Sequence, residues 1–228
     1  MEKELNHKYY FENHPYLGVF KKTSFVWEAL SKLPSYLKEK LKEVNIEKGK
    51  GTIISEKALI NGPVIMGENC NINAFAVVKG PTILGNNVMV GSGATIWGNA
   101  LIGNNCIIRS EVNRSIVGNN LWAAHWSFIG DSIVGNDVNL GAHSVLANFK
   151  NDASNVKVLF NKEKIDTNIK KLGAVLGDGV KLGCHVITDP GTLIGKNTLV
   201  YPSAVLRGFY PSNKILKTRS SIEAVDRK

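Results

Sequence analysis

The chain is 228 residues long, 43% hydrophobic and 21% charged, with a formal net charge of +9 at pH 7. These values suit one sizeable soluble core with a small appendage. No apolar run approaches the roughly 20 residues that span a bilayer, and the three cysteines are too few, and odd in number, for a disulfide framework.

The charge is unevenly spread: residues 149–228 carry fourteen Lys/Arg against seven acids, whereas residues 51–148 carry four against five. No basic stripe with interleaved aromatics and no nucleic-acid motif accompanies the excess. A phosphate-bearing small molecule is therefore the expected anionic partner, with no nucleic acid and no membrane. The amino terminus is polar and mixed in charge, unlike a secretory signal. With cysteines that read as small core fillers, this gives an expected cytoplasmic location.

Residues 1–50 read as a lead-in and helical cap. Aromatics cluster around His14-Pro15 (Tyr9, Tyr10, Phe11, Tyr16, Phe20). Thr23-Ser24 then offers a helix cap, and Phe25, Trp27, Leu30, Leu33, Leu37 and Leu41 form an amphipathic pattern. Pro34 is expected to break it into two helices, the second starting near Ser35. An apolar helical face just before a repeat array reads as a cover for the array's open end. Docking on another protein is the competing use of that face.

Residues 51–210 carry the repeat. Aliphatic or Met side chains recur every sixth residue from Ile54 through Ile60, Met66, Ile72, Val78, Leu84, Val90, Ile96 and Ile102 to Ile108. A second, mostly small series follows four places after each, from Ala58, Val64 and Cys70 to Ala100, Cys106 and Val112, and Gly67, Gly85 and Gly103 recur at eighteen. A period of six with a superperiod of eighteen fits neither a helix nor an isolated strand. It fits a three-sided solenoid, one hexad per side, whose coils pair as parallel strands about 4.8 Å apart. Cys70 and Cys106 would then lie two coils apart, roughly 9–10 Å, beyond disulfide reach.

The register slips after Val112, at Asn113-Arg114-Ser115, and continues at Val117, Ala123, Ile129, Val134, Leu140 and Leu146. Residues 149–171 interrupt it again and read as a protruding two-stranded arm around Asn161-Lys162-Glu163. Hexads return from Leu176 to Leu206, and 211–228 form a basic tail with a turn of helix expected at 220–226. His125, Phe128, Asp131, Asn139, His143 and Asn148 fall between the two breaks, and Cys184 follows the second. A metal reading of His125, His143 and His185 is disfavoured, because their gaps of eighteen and forty-two do not match the close pair on one coil that β-helix zinc enzymes use.

The repeats resemble the hexapeptide repeats of left-handed parallel β-helix acyltransferases. The phrases Ala124-His125-Trp126-Ser127-Phe128-Ile129-Gly130-Asp131, Val138-Asn139-Leu140-Gly141-Ala142, Ala147-Asn148-Phe149 and Lys171-Leu172-Gly173-Ala174 resemble the acetyltransferase half of bifunctional sugar-1-phosphate nucleotidylyltransferase / glucosamine-1-phosphate acetyltransferases. The likeness covers about 50–208 and is closest to the short archaeal branch; the nucleotidylyltransferase half has no counterpart here.

That resemblance implies an all-β left-handed β-helix assembled as a homotrimer. It implies acetyl-CoA as co-substrate with no metal needed, and N-acetylation of an amino sugar or sugar phosphate. His125 corresponds to the general base; imidazole titrates in the range needed to take a proton from an attacking amine. Asn139 and Asn148 correspond to sugar-binding residues, and Ala142 and Cys184 to positions on the acetyl-CoA groove. Two family tyrosines are Phe128 and Phe149, a family glycine is His143, and the phosphate-clamping cations fall at Thr95 and Asn113. Arg109 and Arg114 are the nearby cations that could substitute, which points to a different acceptor or to lost catalysis. The competing class is a non-catalytic, sugar-nucleotide-binding subunit of a separate nucleotidylyltransferase chain. The sequence names neither the acceptor nor the acyl length.

Overall fold

Each hexad becomes a two- or three-residue strand and a corner in the computed structural model, which describes residues 3–218. The strands stack in parallel into three faces of nine, nine and eight strands, and wind as a left-handed β-helix. The first face starts at Ile46–Lys48 and ends at Phe209–Tyr210, the second runs from Ile53–Ile54 to Ile215–Leu216, and the third from Leu59–Asn61 to Val205–Leu206. Leu84 pairs with Ile102, eighteen residues on. One aliphatic side chain per side fills the prism, from Met66, Ile72 and Val78 up to Ile194, Val200 and Leu206.

The solenoid extends past both expected ends, 51 and 210. Ile46–Lys48 pairs with Val64–Met66, and Ile215–Leu216 with Leu199–Val200. The early strand has no apolar signature because its inward place is Lys48, which the open end leaves exposed. Val112 also differs from its expected place among the small corner residues. It is an inward residue of the third face, paired with Ile96 below and Ile129 above. The predicted helix at 220–226 lies outside the described residues.

Asparagines hold the corner between the first and second faces. The side-chain oxygens of Asn86, Asn104, Asn119 and Asn136 each accept the backbone N–H of the equivalent residue one coil below, at 2.8 Å. Beside them Asn87, Asn105, Asn120 and Asp137 are linked amide to oxygen, one coil to the next. That second column sits at φ 56–58°, a left-handed conformation that Asn and Asp tolerate better than other side chains. Gly85 precedes it because a Cβ there would meet the Gly103 carbonyl carbon at 2.8 Å.

The N-terminal segment covers the flank of the prism, whereas the sequence suggested a cover over its end. The outward residues of the first face are apolar: Leu101, Ile116, Ile133, Val175 and Leu193 are all fully buried under Tyr10, Phe11, Phe20, Trp27, Leu30, Leu33 and Leu37. The interior of the first coil stays only half-buried at Ile54, Ala58 and Ile60. Polar ties fix the strap: Tyr16 Oη donates to the Ile102 carbonyl at 2.6 Å, and the Asp178 N–H to the Tyr10 carbonyl at 2.9 Å.

The expected pair of helices is one, Glu28–Lys40, with Pro34 inside it. Proline costs about 3 kcal/mol in a helix interior, but Ala29, Leu30, Leu33 and Leu37 stay in register across it and are all fully buried. Burial of each large side chain is worth about 1.5–3 kcal/mol, so packing wins. The start is not capped by Thr23 or Ser24 side chains. The Glu28 carboxylate instead reaches back to accept the Ser24 N–H at 2.7 Å and the Phe25 N–H at 3.3 Å. Among the described residues no helix is long and apolar enough to cross a membrane.

The arm is the antiparallel hairpin Lys157–Phe160 and Glu163–Asp166. Asn161 and Lys162 both take positive φ, 48° and 69°, as a two-residue turn of mirror-image type requires. The hairpin folds back on the coils instead of protruding: Val156, Val158 and Phe160 are buried with Leu172 and Leu193. Gly191 makes room, since a Cβ there would lie 2.8 Å from Val156 Cγ1.

Candidate active site

The chemistry-bearing residues gather where the coils are shortest. Ile102 pairs with Val117 only fifteen residues on, and Val117 with Val134 seventeen on. The corner between the second and third faces shrinks there to Arg109-Ser110, because Ile108 and Val112 are inward residues only four apart. A notch is left in that edge. The Trp126 ring hangs into it from the coil above and reaches Gly93 in the coil below, where a Cβ would sit 3.0 Å from Trp126 Cη2. The result is a cleft of about 300 Å³ lined by Gly93, Thr95, Glu111, Trp126, Phe128 and His143.

His125 precedes Trp126 on this corner. Strand register places Ala142 above it and Cys184 above that, each two residues past the inward Ala123, Leu140 and Leu182. The three form one column at about 4.8 Å per coil. His125 and Cys184 are exposed and Ala142 is half-buried. The His125 ring makes no hydrogen bond, and the Ala142 and Cys184 N–H groups donate to no partner, among the described residues. In the adjacent column His143 and His185 stack, with ring centroids 5.2 Å apart and planes at 20°. Among the described residues no three His, Cys, Asp or Glu converge as metal ligands. Cys70 and Cys106 are free thiols buried in the prism, and burial pushes the Cys106 thiol up to about 12.

The other predicted residues are spread around this corner. Phe128 lies on the third face at the cleft, paired with Glu111 and Val145. Asn139 lies on the second face, across the corner, between Trp122 and Lys181. Arg109 occupies the shortened corner itself, and its stem covers Gly91 in the coil below.

Asn148 and Arg114 sit together at the far edge of the third face. Both bind the carboxylate of Asp131, Arg114 through Nε and Asn148 through Nδ2. The Asp131 side chain is 2% exposed. Arg114 also donates from Nη2 to the Lys171 carbonyl at 2.7 Å, while Phe149 and Lys171 bridge the two ends of the arm. This cluster ties the base of the arm to the coils, so the charge of Arg114 is already matched by Asp131.

Sequence reasoning did not single out Glu111, Trp97 or Trp126 as site residues. The available signal was the four-residue step from Ile108 to Val112. It makes Glu111 the outward residue of a third-face strand and opens the notch that Trp126 fills.

The family described as bacterial transferase hexapeptide (six repeats) matches residues 81–113. The bifunctional sugar-1-phosphate nucleotidylyltransferase/acetyltransferase of Sulfurisphaera tokodaii is 38% identical over 42% of this chain and 24% of its own length. The chain spans about a quarter of the length of such bifunctional relatives. The uncharacterised acetyltransferase YaiX of Escherichia coli is 35% identical over 79% of this chain and 78% of its own. Among solved structures, a variant of the N-acyltransferase AntD from Bacillus cereus, in complex with dTDP and coenzyme A, covers 85% of this chain and 89% of its own at 21% identity and a TM-score of 0.35.

Proposed function

The chain belongs to the hexapeptide-repeat acyltransferase family, and from that premise we propose that it moves an acyl group, acetyl in the simplest case, from a coenzyme A thioester to the amine of an amino sugar or sugar phosphate. The observation that carries this reading is the column His125, Ala142, Cys184 along an open corner, beside a cleft large enough for a sugar ring.

In this reading His125, whose ring is unpaired, takes a proton from the amine as its nitrogen attacks the thioester carbonyl. The free N–H of Ala142, one coil above, donates to the oxyanion that develops. The C–N bond forms, the C–S bond breaks, and the thiolate leaves with the proton returned from the imidazolium. Cys184 and its unpaired N–H border the pantetheine further up the groove. Asn139 and Phe128 contact the acceptor from the two sides of the corner, while Arg114 and Asn148 act through Asp131 to hold the arm. We also read the protein as a homotrimer, with the groove closed by a neighbouring copy.

The test is thiol release from acetyl-CoA in the presence of amino sugars. Removing a general base costs about 10²–10⁴-fold, so His125→Ala is expected to lose at least a hundredfold in kcat with acetyl-CoA affinity retained. Equal turnover by His125→Ala and wild type would assign the proton transfer elsewhere.

A further inference from the structure

Glu111 is the one carboxylate lining the cleft, which is lined by His143 but by no Lys or Arg. It lies between Thr95 and Phe128 in strand register, at the centre of the third face. No Lys, Arg or His forms an ion pair with it among the described residues. Its carboxylate is nonetheless fixed: Trp97 Nε1–H donates to Oε1 at 2.8 Å. The Trp97 ring is itself held beneath the Lys79 ammonium, 4.1 Å from its centroid. On the far edge of the face Arg114 is committed to Asp131, and at the near corner the Arg109 stem runs over Gly91.

We propose that Glu111 anchors the ammonium of the acceptor, and that this cleft selects an amino sugar carrying no phosphate on the part of the ring that enters it. The inference rests on the acyl-transfer reading for the word acceptor, but its physics is that of binding. A preset carboxylate attracts an ammonium and repels a phosphate at the same spot. A sugar phosphate needs cations there, and Thr95 and Asn113 supply none. Held by Glu111, the ammonium lies beside the turn that carries His125; it gives one proton to solvent to free its lone pair, and the amine so formed gives a second to His125 as it attacks. Glu111 is thus a specificity-determining contact, while the base remains His125.

The experiment is a titration of the full-length protein with D-glucosamine, D-glucose and glucosamine-1-phosphate at one ionic strength, read by calorimetry and by the fluorescence of Trp97 and Trp126. Glucosamine is expected to bind at least tenfold more tightly than either of the others. Glu111→Gln keeps the acceptor oxygen for Trp97; it should lose that preference, about tenfold in affinity for glucosamine, and leave acetyl-CoA binding unchanged. Glu111→Asp should recover part of it. Tighter binding of the phosphate ester, no binding of glucosamine, or an unchanged affinity in Glu111→Gln would overturn the proposal. Thiol release is scored separately: discrimination without turnover would sink acyl transfer and leave the ammonium site standing.

Discussion

At the scale of single residues, the molecule separates groups that are engaged from groups that are free. Arg114 and Asn148 look like substrate ligands in the sequence, yet both are bound to a carboxylate that solvent barely reaches. Removing Asp131 leaves the Arg114 and Asn148 donors short of an acceptor, although Arg114 is 28% exposed and can turn to water. Asp131→Ala is therefore expected to destabilise the fold by about 1–3 kcal/mol, with the arm loosened first. Denaturant unfolding combined with hydrogen exchange across 149–171 would measure both; an unchanged midpoint would show that the cluster does not fasten the arm. The His125 ring and the Ala142 N–H are the opposite case, because neither has a partner among the described residues. The resemblance named His125, Ala142 and Cys184 one by one; strand register puts them in one column, each two places past an inward residue. The Asp131 cluster follows the same spacing, with Arg114, Asp131 and Asn148 each two places past the inward Val112, Ile129 and Leu146, and reading Val112 as a corner residue hid it.

At the scale of elements, the strap over the first face is held by apolar burial and by one buried histidine. Leu33 has no exposed surface, so Leu33→Ala is expected to cost about 2–5 kcal/mol, measurable as a lowered unfolding midpoint.

His14 gives the strap a pH dependence. The Tyr16 N–H donates to its Nδ1 at 3.2 Å, so the ring proton sits on Nε2, which donates to the Val134 carbonyl at 3.2 Å. Burial pushes this imidazole down to about 4. Between that value and the ordinary value of about 6.5, the unfolded chain binds more protons than the folded one. Stability is therefore full above pH ~6.5 and falls as the pH drops towards 4, by roughly 3 kcal/mol in all. Thermal unfolding of wild type and His14→Asn across pH 4–7 checks the sign: the wild-type slope should flatten in the variant. A steeper slope in His14→Asn would contradict it.

The strap's place was partly legible. Ile65, Ile83 and Leu101, one residue before every third inward position, already mark one face as apolar on both sides. A helix pattern read without that stripe shows which of its own residues are buried, but not what they are buried against. Pro34 misled for a related reason, since local cost is outweighed only by contacts distant in sequence.

At the scale of the whole molecule, the repeat period made the prism legible from inward residues alone. Its two ends were not, because at the open start Lys48 occupies an inward place and the pattern is lost. The two faces left uncovered by the strap carry exposed apolar side chains, among them Ile53, Trp122 and Leu199 on the second and Ile187 and Val205 on the third. Burial of such surface between copies suits a closed three-fold ring. Sedimentation equilibrium is expected to give three times the 24.9 kDa chain mass. A monomer would contradict the trimer, and a stoichiometric complex with a different chain would favour the non-catalytic subunit.

An acyl-transfer site at the His125 corner is tested by calorimetric titration with acetyl-CoA, followed by thiol release with glucosamine as acceptor. Micromolar acetyl-CoA binding is expected in both wild type and His125→Ala, with turnover in wild type that falls at least a hundredfold in the variant. Absence of binding at millimolar acetyl-CoA would contradict it and leave the column of His125, Ala142 and Cys184 as a structural edge of the prism.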